Sequence, residues 1–336
     1  MSLGDEGIPP LAFVQLLEQR ALDSDAASRL RAIMRREGTD EATLIRHDIQ
    51  VPIRWFREVY PELDIDQAIV FGIAFAEEAQ LTSFGPLSAP LISAGSVAEI
   101  VELLTYLPLI STALRSQFNS SGNGLSVGLT ANTGDPALDC LVVTYGGCAL
   151  LRLLDMLAGD MSSVKLHLSW PAPTVMAGHP SVSAERLSFD APVSFVEVPE
   201  DTLTMACRFS DPLSYRLAIA DLQRTFAART GTASFSERVR QILQKDPGQP
   251  SHHWIARQMA ISTSTLKRHL AAEGTTYRGL QQSMLHERAV LLLLDRTMSV
   301  SEVAAELGYS DAANFSHAFK RWTGRSPREF RNPYHY

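Results

Sequence analysis

One pattern, stated twice about 48 residues apart, constrains this chain more than any other feature. Ile255-Ala256 is answered by Val303-Ala304, Met259 by Leu307, and Ala260-Ile261-Ser262 by Gly308-Tyr309-Ser310. Phe315 and Phe319 take the inward places of Leu266 and Leu270, displaced by one residue. In the first copy Ser251 caps a short helix with Ile255, Ala256 and Met259 inward, and Ser262 caps a second helix over Thr263 to Ala272. The three-residue turn between them is too short for an antiparallel return, which is the helix-turn-helix arrangement. A single copy is weak, because any two short helices imitate it; two in matching order are specific.

Tyr277 to Leu294, between the copies, reads as one helix of 18 residues. At ~1.5 Å per residue it is about 27 Å long, which suits two recognition helices set near the ~34 Å repeat of major-groove faces. Its Leu291-Leu-Leu-Leu294 run sustains no heptad, so it reads as a clamp that is apolar on several sides, not as a zipper. Upstream, Ser236 caps a helix with Phe235, Val239, Ile242 and Leu243 on one side, ended by Asp246-Pro-Gly-Gln-Pro250.

A net charge of −7 at first argues against a nucleic-acid partner. The charge is not uniform. Residues 234–336 carry 14 Lys/Arg against 9 Asp/Glu, whereas residues 1–233 carry 16 against 28. Two domains with different partners explain this asymmetry, and a balance of only +5 implies weak non-specific DNA binding.

The first ~85 residues read as helical, with Leu11, Val14, Leu16 and Leu17 on one face and Pro52 opening a helix through Trp55-Phe56. Ser96 caps another helix, to Tyr106. Strand patterns follow at Leu125–Leu129, Leu141–Tyr145, Val164–Leu168 and Phe195–Val198, continuing through Leu203, Met205, Cys207 and Phe209. Helical Ala149–Leu157 and Pro212–Thr225 interrupt them. The expectation is an α+β sensor or dimerisation domain over residues 1–227, a linker over 228–234, and an all-α domain over 235–336 with two helix-turn-helix modules joined by a long helix.

Ser301-Glu-Val-Ala-Ala-Glu-Leu-Gly-Tyr-Ser310 and Asn314-Phe-Ser-His-Ala-Phe-Lys-Arg-Trp-Thr-Gly-Arg-Ser-Pro-Arg-Glu-Phe-Arg331 closely resemble the signature of AraC/XylS-type (arabinose-operon regulator) transcription factors. The match spans Ser236 to Arg331. It departs from the family at His317 and near Leu285, where arginines are common. Val51–Phe56, Phe84–Ser88, and Leu166–Pro171 followed by Phe195 resemble, more loosely, the arabinose-binding-type domain of one branch of that family.

Ser264, Lys267 and Arg268 face outward on the first recognition helix and fall where that family touches bases and backbone. Lys267 or Arg268 can pair with guanine O6/N7. Ala312, Ala313, Ser316 and His317 take the corresponding places in the second module. The two alanines offer only apolar contact, so weaker sequence reading is expected there. Thr263, Ser310, Lys320, Arg321, Arg325 and Arg328 are the expected phosphate contacts.

The resemblance implies double-stranded promoter DNA and RNA polymerase as partners, an activator output, a small-molecule effector and a homodimer. An alternative keeps the DNA binder but gives the N-terminal domain interaction only. Catalysis finds no support. Tyr145-Gly-Gly-Cys148 lacks a phosphate loop's lysine, Gly122–Ser126 is no nucleophile elbow, and His252-His253 has no further ligand at metal spacing. A repair enzyme fused to this DNA-binding domain would need clustered cysteines, unlike Cys140, Cys148 and Cys207. No cofactor, metal or catalytic residue is expected. His167, Trp170, His179 and Arg208 are candidates for an effector pocket, with none assigned. The odd cysteine count, an acidic N-terminus without a signal-peptide pattern, and the shortness of the apolar Ala149–Gly159 stretch point to a cytoplasmic protein with no membrane partner.

Overall fold

A computed structural model describes residues 6–18, 22–121, 124–174, 184–230, 234–245, 251–294 and 298–331. The chain divides into two compact units, Met1–Phe226 and Ala227–Tyr336.

Unit 1 opens with a two-stranded pairing of β1 (Gly7–Ile8) and β2 (Val51–Pro52) around α1 (Pro10–Glu18), α2 (Ser24–Arg36) and α3 (Glu41–Arg46). Asp23 and Asp40 cap α2 and α3 by accepting from Ala26 N and Thr43 N. Then come α4 (Arg54–Val59), α5 (Ile65–Glu77), α6 (Ser88–Ser93) and α7 (Val97–Glu102). As expected, Ser96 caps α7, with its hydroxyl accepting from Glu99 N. The Pro52 helix begins two residues later than expected, at Arg54, because Pro52 itself pairs in β2.

The sheet and one long helix form the centre of unit 1. β3 (Leu114–Ser121), β4 (Gly124–Ala131), α8 (Pro136–Ala158), β5 (Lys165–His167), β6 (Leu187–Ser188) and β7 (Phe195–Pro199) follow in chain order. The strands lie in the order β3-β4-β7-β5-β6, antiparallel except for the β5–β6 pair. Val127, Leu166, Val196 and Val198 are fully buried. The β-branched Leu141–Tyr145 tract, expected as a strand, lies inside α8, a helix of 23 residues. Asp135 caps α8 by accepting from Ala137 N and Leu138 N, and Pro136 starts it. Arg57 grips the same carboxylate with two bonds of 2.6 and 2.7 Å.

Helix α8 is therefore longer than its Ala149–Gly159 part suggested. Length and apolarity alone would let it cross a membrane, but most of it is buried in this unit. It lies so close to α5 that a Cβ on Gly72 would meet the Thr144 Cβ at 2.7 Å.

The strand expected through Leu203–Phe209 is instead α9 (Glu200–Leu203), a turn and an isolated bridge between Ser96 and Ala206. Helix α10 (Pro212–Thr230) ends the described part of this segment, so Ala228–Thr230 of the expected linker are helical. Gly231–Ala233 lie outside the described residues.

Unit 2 is helical throughout its described residues: α11 (Phe235–Lys245), α12 (His252–Gln258), α13 (Thr263–Ala272), α14 (Tyr277–Leu294), α15 (Val300–Glu306), α16 (Ala312–Thr323) and α17 (Pro327–Arg331). Ser234, not Ser236, caps α11, accepting from Glu237 N. The amides of Phe235 and Ser236 donate instead to the Glu273 carboxylate at the end of α13. The expected stop at Asp246–Pro250 lies outside the described residues. Val239, Leu243, Ile255, Ala256, Leu266, Leu270 and Leu280 form the core of the first module. Val303, Ala304, Leu307, Phe315 and Phe319 are equally buried in the second. Leu291, Leu292 and Leu293 of α14 are buried, as a clamp requires.

Candidate nucleic-acid interface

The two helix-turn-helix modules begin their turns identically. In the first, Ala260 N bonds Arg257 O and Ile261 N bonds Ala256 O. In the second, Gly308 N bonds Ala305 O and Tyr309 N bonds Ala304 O. Such paired bonds end a helix on one left-handed residue. That residue is Gly308, at φ 76°, in the second module and Ala260, at φ 53°, in the first. Left-handed backbone strains an L side chain and not glycine. Ala260→Gly is therefore expected to stabilise unit 2 by ~0.5–1 kcal/mol and Gly308→Ala to destabilise it by at least as much, as read by denaturant midpoints.

After the shared turn the modules diverge by one residue. Ser262 caps α13, its Oγ accepting from Thr265 N. Ser310, its expected counterpart, does not cap α16; Asp311 does, accepting from Asn314 N at 2.7 Å. The inserted residue accounts for the one-place shift of Phe315 and Phe319 relative to Leu266 and Leu270. Both pairs stand four and eight residues after their cap, where helical periodicity turns them inward.

On α13, Ser264, Lys267 and Arg268 share an exposed face opposite Leu266 and Leu270, while Thr263 is half-buried. The Ser264 hydroxyl lies 2.8 Å from the Ser262 hydroxyl. On α16, Ala313 and His317 are exposed and Ala312 and Ser316 half-buried. Ser316 Oγ donates to Ala312 O at 2.7 Å, so its proton is already committed to the helix.

Lys320, Arg321, Arg325 and Arg328 are exposed. None of these four, nor Lys267 or Arg268, enters an ion pair among the described residues. Elsewhere in unit 2, Arg240 pairs with Glu237 at 2.7 Å and Arg288 with Glu306 at 2.6 Å. The Arg288–Glu306 pair ties α14 to α15 one turn beyond Leu285, the place where an arginine is common in the resembling family.

Two side chains at the second module escaped the sequence reading. Asp311 puts a carboxylate at the N-terminus of α16, held below the usual carboxylate range by the Asn314 amide and then the Ser310 hydroxyl. Ser310 Oγ donates to Asp311 Oδ2 at 3.1 Å, and Asn314 Nδ2 donates to both residues. A fixed negative charge disfavours a phosphate at this helix start, whereas the neutral Ser262 leaves the start of α13 open to one. The capping arithmetic that would have revealed Asp311 is the position of Phe315 four residues later.

Unit 1 holds a separate feature. A cavity of about 90 Å³ opens among Phe13, Phe56, Phe75, Phe84, Tyr145 and Leu150. None of the described effector candidates, His167, Trp170 and Arg208, lines it. His167 stacks on Phe195 at 4.3 Å and meets Glu197 at 3.2 Å, Trp170 packs against the core, and Arg208 is exposed beside Gly159. His179 lies outside the described residues. The thiols of Cys140, Cys148 and Cys207 are buried, and burial pushes each upward, to about 12, 12 and 11. Burial and the raised pKa both disfavour the thiolate, the form that reacts. Among the described residues no group of three or more His, Cys, Asp or Glu could hold a metal ion.

Comparison with known proteins agrees with both halves of this reading. The arabinose-binding domain of AraC transcription regulators matches residues 29–207, more than half of the chain. A helix-turn-helix domain family matches residues 255–333. The HTH-type transcriptional regulator VqsM of Pseudomonas aeruginosa is 26% identical over 277 residues, 79% of this chain and 84% of that protein. The ornithine utilization regulator of the same organism is 26% identical over 184 residues, 54% of each chain. Among solved structures, the transcriptional regulator CdpR from Pseudomonas aeruginosa aligns over 92% of this chain and 99% of its own, at 23% identity and a TM-score of 0.41. With an arabinose-binding-type domain ahead of a tandem helix-turn-helix domain, this chain belongs to the AraC family of DNA-binding transcriptional regulators.

Proposed function

We propose that the chain is a cytoplasmic activator that docks α13 and α16 in successive major-groove faces of double-stranded promoter DNA and recruits RNA polymerase. Ser264, Lys267 and Arg268 read bases in the first module, with Thr263 on a phosphate. Ala313 and His317 face bases in the second, flanked by Ala312 and Ser316. Lys320, Arg321, Arg325 and Arg328 lie toward the backbone, while Ser310, its proton donated to Asp311, has none to give a phosphate. The observation that carries this reading is the set of exposed, unpaired cations on and beside the two recognition helices. Such side chains are free to replace the counterions of DNA phosphates.

The two kinds of contact separate experimentally. The full chain first selects a preferred duplex from a randomised pool. Arg268→Ala is then expected to lower discrimination at one base pair by ~1–3 kcal/mol, and Arg321→Ala to weaken every duplex alike, reducing the salt slope by ~1. Equal effects of the two variants on all sequences would remove Arg268 from base reading. A further part of the proposal is that unit 1 forms a homodimer, as the family resemblance implies, and senses a small molecule that changes DNA affinity; the cavity supports the sensing. Its test is the DNA affinity of the full chain with and without a bound small molecule.

A further inference from the structure

The cavity in unit 1 constrains what it can hold. Among the described residues no Asp, Glu, Lys, Arg or His lines it, and its described wall is aliphatic and aromatic except for the hydroxyl-bearing Ser83, Ser111 and Tyr145. Two of those three are already engaged. Ser83 Oγ donates to Gln15 Oε1 and accepts from Gln80 N, and Ser111 Oγ donates to Gly7 O at 2.8 Å and accepts from Leu114 N. The Tyr145 hydroxyl makes no hydrogen bond among the described residues. Burial pushes the phenol's ionisation upward, so it stays protonated and remains a donor.

On the sensor reading, we propose that this cavity takes a neutral, largely apolar molecule with a single hydrogen-bond acceptor, which meets the Tyr145 hydroxyl. A pentose, the ligand in the matched family's name, would leave most of its hydroxyls buried without partners. A carboxylate or an ammonium ion would enter without a counter-charge. Both losses are large in an apolar site, whereas one ketone or ether oxygen is satisfied by one donor. Each water-sized group needs ~10–15 Å³, so the cavity suits a molecule on the order of ten heavy atoms.

The test uses the full chain and four probes: 1-indanone, indane, 1-indanecarboxylate and L-arabinose, with binding followed by calorimetry and thermal shift. 1-Indanone is expected to bind and raise the melting temperature, about five- to tenfold tighter than indane, which lacks the acceptor. Tyr145→Phe should bring 1-indanone to the affinity of indane while leaving indane unchanged. Should that variant fail to fold, Ala149→Leu, which occupies the cavity, should abolish binding of both. The proposal is overturned if 1-indanone does not bind, if it binds no better than indane to the wild type, or if the carboxylate or the sugar competes for the site. The sensor reading fails separately. A 1-indanone complex with unchanged DNA affinity removes sensing and leaves the ligand chemistry standing, and an arabinose-dependent change in DNA affinity does the reverse.

Discussion

The combined variant Lys320→Ala, Arg321→Ala, Arg325→Ala and Arg328→Ala is expected to lose DNA affinity by about a hundredfold or more at low salt, whatever the sequence of the duplex. Each phosphate neutralised contributes ~0.9 to the slope of log affinity against log salt, so the slope should fall by ~3–4. The chemistry is sequence-independent, because these side chains lie at the end of α16, after it and on α17, away from the N-terminal turn that reaches base edges. The substitutions also take the balance of residues 234–336 from +5 to +1. Folding should survive, since all four side chains are exposed and unpaired among the described residues. The measurement is filter binding or anisotropy at several salt concentrations. An unchanged slope in a variant that still melts like the wild type would show that these cations are ordinary surface charges.

Helix termini and buried periodicity made unit 2 legible from sequence. A capping serine and apolar residues four and eight places later locate α13, and the repeat of that spacing locates α16. What the repeat concealed was an inserted residue, since aligning Ser310 with Ser262 passes over Asp311, the true cap. Unit 1 was harder to read for a different reason. Leu141–Tyr145 has the β-branched texture of a strand, but it is buried inside α8, between α5 and the sheet. A helix packed on several sides shows little amphipathic periodicity, and tertiary packing overrode the local preference. The alternation of Leu203, Met205, Cys207 and Phe209 misled in the opposite direction. Met205 and Phe209 are exposed, and the chain there turns and pairs through an isolated bridge of Ala206 with Ser96 instead of forming a strand. The cavity has no signature in sequence at all. Its wall draws on residues from Ile8 to Leu153, and apolar patterning tells which side chains are inside but not where they leave space.

Phe319→Ala should produce the largest loss of stability, because it removes the centre of the second module. The ring is fully buried, 5.7 Å from Phe315 and 5.2 Å edge-on to Phe330, so it joins α16 to α17 while α16 also packs on α14. Truncating a ring in such a site costs ~3–5 kcal/mol through lost burial and the cavity left behind. That is a large share of the ~5–15 kcal/mol that holds a whole domain. The core of the first module contains no residue of α15, α16 or α17, so it should persist. The expected result is a melting curve in which part of unit 2 unfolds early while unit 1 keeps its transition. DNA binding should fall to that of one module, with footprint protection confined to the part of the site read by α13. Phe319→Leu, which keeps most of the volume, should cost less than ~1.5 kcal/mol and retain the full footprint. If Phe319→Ala instead abolished all protection together with the α13 part of the site, the two modules would be one cooperative unit, with α14 coupling their folding. That would make the long helix a structural spine and not a spacer.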